Sequence, residues 1–110
     1  MLNVGVMSSD APQKLFPEHQ AQDQAGQPLE LTLFKSDTCF FCHRVMSVIQ
    51  SLQIPITLKD TRRDAKARDE LIAVGGKRQV PCLFINGTPL YESSDIIRFF
   101  QNSMTVQTKL

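Results

Sequence analysis

From Leu29 onward the apolar positions fall into a regular order. Leu29, Leu31 and Leu33 alternate with Glu30 and Thr32 and lead into Phe34, the period of two that defines a strand with one face turned inward. Between Cys42 and Gln53 the period changes, and Val45, Val48, Ile49 and Leu52 stand at i, i+3, i+4 and i+7, one face of a helix. Pro55 pushes Ile54 out of the helical region and closes that helix. Ile56 to Lys59 reads as a second strand. A charged helix follows from about Asp64, with Leu71 and Val74 inward and Gly75-Gly76 as its C-terminal cap. Val80 to Ile85 reads as a third strand, and Asn86-Gly87 is a strong two-residue hairpin signal leading into Thr88 to Tyr91. Pro89 cannot donate to a ladder, so that last strand belongs at a sheet edge. Ser93-Ser94-Asp95 then opens a helix in which Ile96, Phe99 and Phe100 share a face. The predicted order is βαβαββα, and no internal repeat is visible.

Residues 1–28 lack such a pattern. They hold five glutamines, three prolines and one Lys against three acidic residues, so their net charge is −2 while the remainder carries +3. A segment of this kind buries too little to offset its ordering entropy, which predicts a flexible N-terminal arm over 1–28, a domain over 29–104 and a C-terminal tail over 105–110. A sharper alternative docks Leu15 and Phe16 onto the domain or a partner.

Composition narrows the class further. The 110-residue chain suffices for one domain, and 42% hydrophobic with 21% charged residues describes a globular protein rather than a fibrous or disordered one. No apolar run approaches a membrane span, and Met1 to Met7 offers neither the basic region nor the apolar length of a secretory signal. The expected setting is therefore cytoplasmic, without membrane association. A formal charge of +1 gives no general case for nucleic acid. Three cysteines cannot close a disulfide framework, and without an export signal they point to redox or metal chemistry.

The chemistry centres on Cys39-Phe40-Phe41-Cys42, where the first strand gives way to the first helix. The opening turn of a helix presents unpaired N–H groups and the positive end of the dipole, which stabilise an anion. A cysteine held there is a nucleophilic thiolate near neutral pH. Two intervening residues set the second sulfur one turn inward, where it can resolve a mixed disulfide. Cys39 is thus expected to attack and Cys42 to resolve.

Other readings of these residues exist. Cys39-x-x-Cys42-His43 also has the spacing of c-type haem attachment, but it runs into an amphipathic helix within an α/β pattern, and His43 is expected on the solvent side. A zinc site from Cys39, Cys42, His43 and Cys82 has suitable atoms, yet consecutive Cys42 and His43 diverge on a helix, so no metal is expected. Cys82 is read as a small buried hydrophobe. The basic set Lys59, Arg62, Arg63, Lys66 and Arg68 is interleaved with Asp60, Asp64, Asp69 and Glu70, and is read as a solvated face with a supporting Asp64–Arg68 pair. Phe40 and Phe41 are either exposed contacts for substrates or, for one of them, inward packing.

The stretch Leu31 to Phe100 resembles the glutaredoxins and the glutathione-binding domain that opens glutathione transferases. Lys35-Ser36-Asp37-Thr38-Cys39-Phe40-Phe41-Cys42 is similar to the glutaredoxin active-site loop, Gly76-Lys77-Arg78-Gln79-Val80-Pro81 to the basic-Thr-Val-Pro segment with its cis proline, and Leu83-Phe84-Ile85-Asn86-Gly87 to the family hairpin. Tyr91-Glu92-Ser93-Ser94-Asp95 is closer to the Glu-Ser signature of the transferases than to the glutaredoxin Gly-Gly-Cys-Asp. The resemblance implies an α/β, thioredoxin-like fold with a four-stranded mixed sheet and helices on both faces.

It further implies a monomeric glutathione-dependent thiol–disulfide oxidoreductase, with glutathione as co-substrate and disulfide-containing or glutathionylated proteins as partners. On that mapping Val80, held by a cis Pro81, pairs with the cysteinyl backbone of glutathione, and Phe41 adjoins it. Lys35 and Lys77 or Arg78 meet the glycyl carboxylate, and Ser93, Ser94 or Asp95 takes the γ-glutamyl end at a helix N-terminus. Two departures stand out: Phe40 replaces the usual proline, and Lys35 lies one position earlier than the family lysine. The Glu92-Ser93 pair suggests, as an alternative, a glutathione-binding module without turnover. The absent proline suggests an iron–sulfur carrier, and the arm a redox-regulated interaction protein.

Overall fold

A computed structural model describes residues 12–109. In chain order the elements are β1 (Gln13–Leu15), β2 (His19–Asp23), β3 (Pro28–Leu29), β4 (Leu31–Lys35), α1 (Phe40–Leu52), β5 (Ile56–Asp60), α2 (Ala65–Gly75), β6 (Cys82–Ile85), β7 (Thr88–Tyr91), α3 (Ser93–Asn102) and β8 (Met104–Thr108). From β4 to α3 this is the βαβαββα order expected from the hydrophobic pattern.

The main sheet has the order β1-β5-β4-β6-β7. Strands β4 and β5 run parallel, joined through α1, and β6 returns antiparallel to β4. Leu33 in the central strand sits between Leu58 and Leu83 in register. Alternation then sorts the side chains of β4 and β6 to opposite faces. Leu31, Leu33 and Leu83 enter one core with Val45 and Ile49 of α1 and Ile96 and Phe100 of α3. Phe34, Cys82 and Phe84 enter a second core with Ala67 and Leu71 of α2. Helices therefore cover both faces. The β6–β7 hairpin turns on Asn86 and Gly87, both at positive φ (49° and 87°), the backbone that a tight two-residue hairpin demands. Strand β7 is an edge, as Pro89 requires.

The helix ends follow local chemistry. Asp64 caps α2 by accepting from the N–H groups of Lys66 and Ala67. Gly76 closes it at φ 83°, a left-handed position natural for glycine. At Gly75 a Cβ would meet the Tyr91 hydroxyl oxygen at 2.1 Å, so a larger residue there would have to displace that side chain.

Several expectations need correction. Residues 13–28 are not a free arm. Strand β1 pairs antiparallel with β5 and makes the main sheet five-stranded rather than four-stranded. Strand β2 joins β3 and β8 in a second, three-stranded sheet. Residues 105–108 of the expected tail belong to β8, paired along the length of β2 from His19↔Thr108 to Asp23↔Met104. The physical reason is non-local. Polar strands such as His19–Asp23 show no core pattern on their own, yet they become ordered once a partner strand takes up their backbone groups. Ala21 is buried in the first core, and Leu15 and Phe16 pack against it, as the sharper reading of the arm had it. Residues 1–11, which include the Met1 to Met7 stretch, lie outside the described residues.

Smaller corrections concern single residues. Leu29 belongs to β3, so β4 starts at Leu31, and the third strand of the core begins at Cys82 rather than Val80. Leu52 and Val74, in the last turns of α1 and α2, are 42% and 52% exposed although they continue the inward spacing. Arg68 donates to the Thr61 carbonyl at 3.0 Å instead of pairing with Asp64, whose carboxylate is engaged in capping. Glu92, at φ 74°, occupies the cap position of α3, and Ser93 to Asp95 form its first turn.

Candidate functional site

Cys39 is the N-cap residue of α1, with extended backbone at φ −93° and ψ 118°. Its sulfur accepts the amide N–H of Cys42 at 3.3 Å, taking the place that a serine or aspartate oxygen takes in an ordinary cap. One of the orphan N–H groups of the first turn is thereby aimed at sulfur. On its other side the thiol faces the Val80 carbonyl oxygen at 3.8 Å. The Val80–Pro81 peptide is cis, as the resemblance implied. Phe40 and Phe41 are 68% and 52% exposed and meet edge to face at 5.5 Å between centroids, so neither packs inward.

The other two thiols differ in kind. Cys42 is fully buried at the start of α1, and burial, reinforced by the neighbouring Cys39 sulfur, pushes its thiol up to about 12. Cys82 lies in the core under α2, where burial pushes its thiol up to about 11 against a lowering contact from Tyr91. Both remain protonated at neutral pH. Alkylation at pH 8 is expected to label Cys39 in the folded chain while Cys42 and Cys82 react only on unfolding, which peptide mass spectrometry would read directly. Linkage fixes the sign for stability. Both folded thiols titrate above the ordinary value of 9.0, so their contribution is complete below pH 9 and is lost as pH rises toward 11 and 12. Urea midpoints measured from pH 7 to 11 should hold level and then fall above pH 9. A rise there would refute the assignment.

The loop between β4 and α1 is fixed by an ion network that the sequence reading did not single out. Lys35 Nζ lies 2.5 Å from Asp37 Oδ1 and 3.6 Å from Asp60 Oδ2. The Lys35 side chain is only 13% exposed. Asp60 also accepts the backbone N–H groups of Arg62 and Arg63 at 2.9 and 3.2 Å. Arg62 donates to the Thr38 hydroxyl at 2.8 Å, and Arg63 stands 3.9 Å from Asp37. His43 is exposed, as expected, with Nε2 at 2.6 Å from the Asp37 carbonyl oxygen. The hydrogen bond from Lys35, with further pull from Lys35, Arg63 and His43, holds the Asp37 carboxyl below the usual carboxylate range against its partial desolvation. Part of the basic stretch read as a solvated face thus braces the Cys39 loop. The signal missed was proximity across two strands: Lys35 and Asp60 are register partners of parallel β4 and β5.

The other expected residues lie as follows. Val80 and Pro81 stand beside its sulfur. Lys77 and Arg78 are exposed on the loop before β6, with Lys77 Nζ 4.8 Å from the centre of the Tyr91 ring. Ser93, Ser94 and Asp95 form the first turn of α3, where Asp95 accepts from Arg98 at 2.9 Å. Gln79 donates to Glu92 at 3.1 Å and ties the Val80 loop to that same turn. Cys82 does not join Cys39, and among the described residues no group of three or more His, Cys, Asp or Glu is placed to hold a metal. No helix among the described residues is long and apolar enough to cross a membrane. A cleft of about 440 Å³ opens elsewhere, between β1, β2, β3 and β5, and contains none of these groups.

Residues 31–90, more than half of the chain, match the family model described as Glutaredoxin. No curated protein matches the sequence. Among solved structures, a thioredoxin-like protein aligns with a TM-score of 0.59 at 18% identity, covering 66% of this chain and 100% of that one. A buckwheat glutaredoxin in complex with glutathione gives 0.56 at 19% identity, with 67% and 70% coverage. The holo form of a Populus tremula × tremuloides glutaredoxin gives 0.54 at 18%, with 64% and 73% coverage. At these identities the structural likeness speaks for the fold, and the family match supplies the rest. The chain belongs to the glutaredoxin family, with its thioredoxin-like α/β fold and the thiol oxidoreductase-type chemistry that membership implies.

Proposed function

We propose that this protein is a glutathione-dependent thiol–disulfide oxidoreductase with Cys39 as nucleophile and Cys42 as resolving thiol. The observation that carries the reading is the Cys39 sulfur at the first turn of α1, receiving the Cys42 N–H at 3.3 Å and bordered by the Val80 carbonyl. The Cys39 thiolate attacks the glutathionyl sulfur of a mixed disulfide. The substrate's sulfur leaves as thiolate and takes a proton from solvent, and a Cys39–glutathione disulfide remains. A second glutathione thiolate attacks the glutathionyl sulfur of that bond, glutathione disulfide forms, and Cys39 departs as thiolate. Alternatively Cys42 attacks Cys39 and expels glutathione, giving an internal disulfide that two glutathiones reduce.

Glutathione fits the groups around the sulfur. In this reading the Val80 backbone, whose carbonyl borders the Cys39 sulfur, pairs with its cysteinyl residue, and the N–H groups of Ser93 and Ser94 open a ten-residue helix suited to the γ-glutamyl carboxylate. Asp95 offers a charge for the ammonium, and Lys35 with Lys77 or Arg78 offers charge for the glycyl carboxylate. Phe41, half exposed beside Cys39, gives an apolar wall. No metal enters any step.

Burial pushes the Cys42 thiol up to about 12, which supports the route through a second glutathione over the one through Cys42. The Cys42→Ser variant is therefore expected to retain turnover of a glutathionylated peptide within about threefold of the parent, as one positioned group contributes far less than the nucleophile itself. Quenching its reaction should trap one glutathionyl group on Cys39. An adduct found on Cys82, or none at all while Cys39 stays open to alkylation, overturns the proposal.

A further inference from the structure

The cation expected to receive the glycyl end of glutathione already has a carboxylate partner within the chain. Lys35 Nζ is held between Asp37 and Asp60, and these two acids are not equivalent. The Asp60 side chain is 13% exposed and locked by the Arg62 and Arg63 amides, whereas Asp37 is 55% exposed. Backbone atoms on either side of Asp37 are also fixed. Its carbonyl meets His43, and the Lys35 carbonyl accepts from the Thr61 N–H at 3.0 Å. Only the Asp37 carboxylate is therefore able to leave Lys35 without dismantling the loop, and a second cation waits for it: Arg63, at 3.9 Å.

We propose that Asp37 is a specificity-determining residue, a resident carboxylate that competes with the carboxylate of an incoming anionic thiol for Lys35 and is handed to Arg63 when that substrate binds. The inference rests on the glutathione reading of the site and deepens it. An anionic thiol must displace Asp37, and a neutral dithiol need not. Removing the resident charge strengthens binding of glutathione alone, by the modest amount that a part-exposed ion pair contributes.

The test compares steady-state turnover of one disulfide peptide by the full chain and its Asp37→Asn variant, with glutathione as one reductant and neutral dihydrolipoamide as the other. The expected result is a fall of about twofold to fivefold in the glutathione KM, with kcat little changed and the dihydrolipoamide KM unmoved. In the Arg63→Gln variant Asp37 loses its alternative partner, and the glutathione KM should rise about twofold. Glu70→Gln, which removes an exposed α2 carboxylate paired with Lys59 of β5, serves as control and should alter neither. Asp37→Asn leaving the glutathione KM unchanged or higher, or lowering both KM values alike, overturns the proposal while leaving the glutathione reading intact. Turnover with dihydrolipoamide but none with glutathione in the parent chain overturns both.

Discussion

Replacing Cys39 by serine is expected to abolish reduction of glutathionylated substrates, with kcat/KM falling roughly a thousandfold or more, the scale on which removal of a nucleophile acts. The loss is chemical rather than steric. A serine oxygen fits where the sulfur stands and accepts the same Cys42 N–H, which lies 3.3 Å from the sulfur in the parent. The hydroxyl does not ionise near neutral pH and forms no disulfide. Serine is moreover a preferred N-cap, so α1 should be as stable as before. That separates the two explanations for lost activity. A variant that melts with the parent yet is inactive confirms Cys39 as the reacting atom. One that keeps more than about a tenth of parental turnover would remove Cys39 from the mechanism, since no other thiol among the described residues is both exposed to substrate and aligned with a helix N-terminus.

The second large effect is on stability. Ala21→Asp places a carboxylate where the side chain is 1% exposed, on β2 between β3 and β8 and against the core that Ile49 and Ile96 share. None of the described ion pairs or side-chain hydrogen bonds supplies a cation there, so the charge is buried unpaired, at a cost of about 3 kcal/mol or more. The corresponding fall in Tm is about 10 °C or more for a domain of this size. Gln22→Asp, one residue along and half-buried on the other side of the strand, is the matched control and should change Tm little. The comparison separates two pictures of residues 13–23. A loosely attached arm would tolerate both substitutions equally, whereas a strand integrated into the core tolerates only the second.

The legible parts of this protein are those whose residues carry their own pattern. Val45 and Ile49 at helical spacing, Leu31 and Leu33 at strand spacing, Asn86-Gly87 at the hairpin and the paired glycines after α2 each state a local geometry that packing then preserves. The position of Cys39 was legible on the same terms, because a strand followed by a helix leaves its junction residue at the exposed amides. What escaped were contacts between segments distant in sequence. Strand β2 depends on β8, more than eighty residues onward, and neither has a periodicity strong enough to announce a strand. Asp60 and Lys35 are 25 positions apart and become neighbours only because β4 and β5 lie parallel in register. The charges near Arg62 and Arg63 looked like solvent-facing helix residues since, one by one, they are charges beside a helix; the fold turns two of them toward the Cys39 loop.

The amino-acid order by itself determined the βαβαββα core, the two-sided burial of its sheet and the sulfur at the head of α1. Period-two and period-3.6 spacing and the N–H groups of a helix start are properties of a few consecutive residues. Only the tertiary structure decided that residues 13–28 and 104–108 complete the sheets, that Cys42 and Cys82 are held as thiols, and that Lys35 is shared between Asp37 and Asp60. Strand pairing, desolvation and ion-pair geometry each depend on what the rest of the chain brings within a few ångströms, and no stretch of sequence contains that distance.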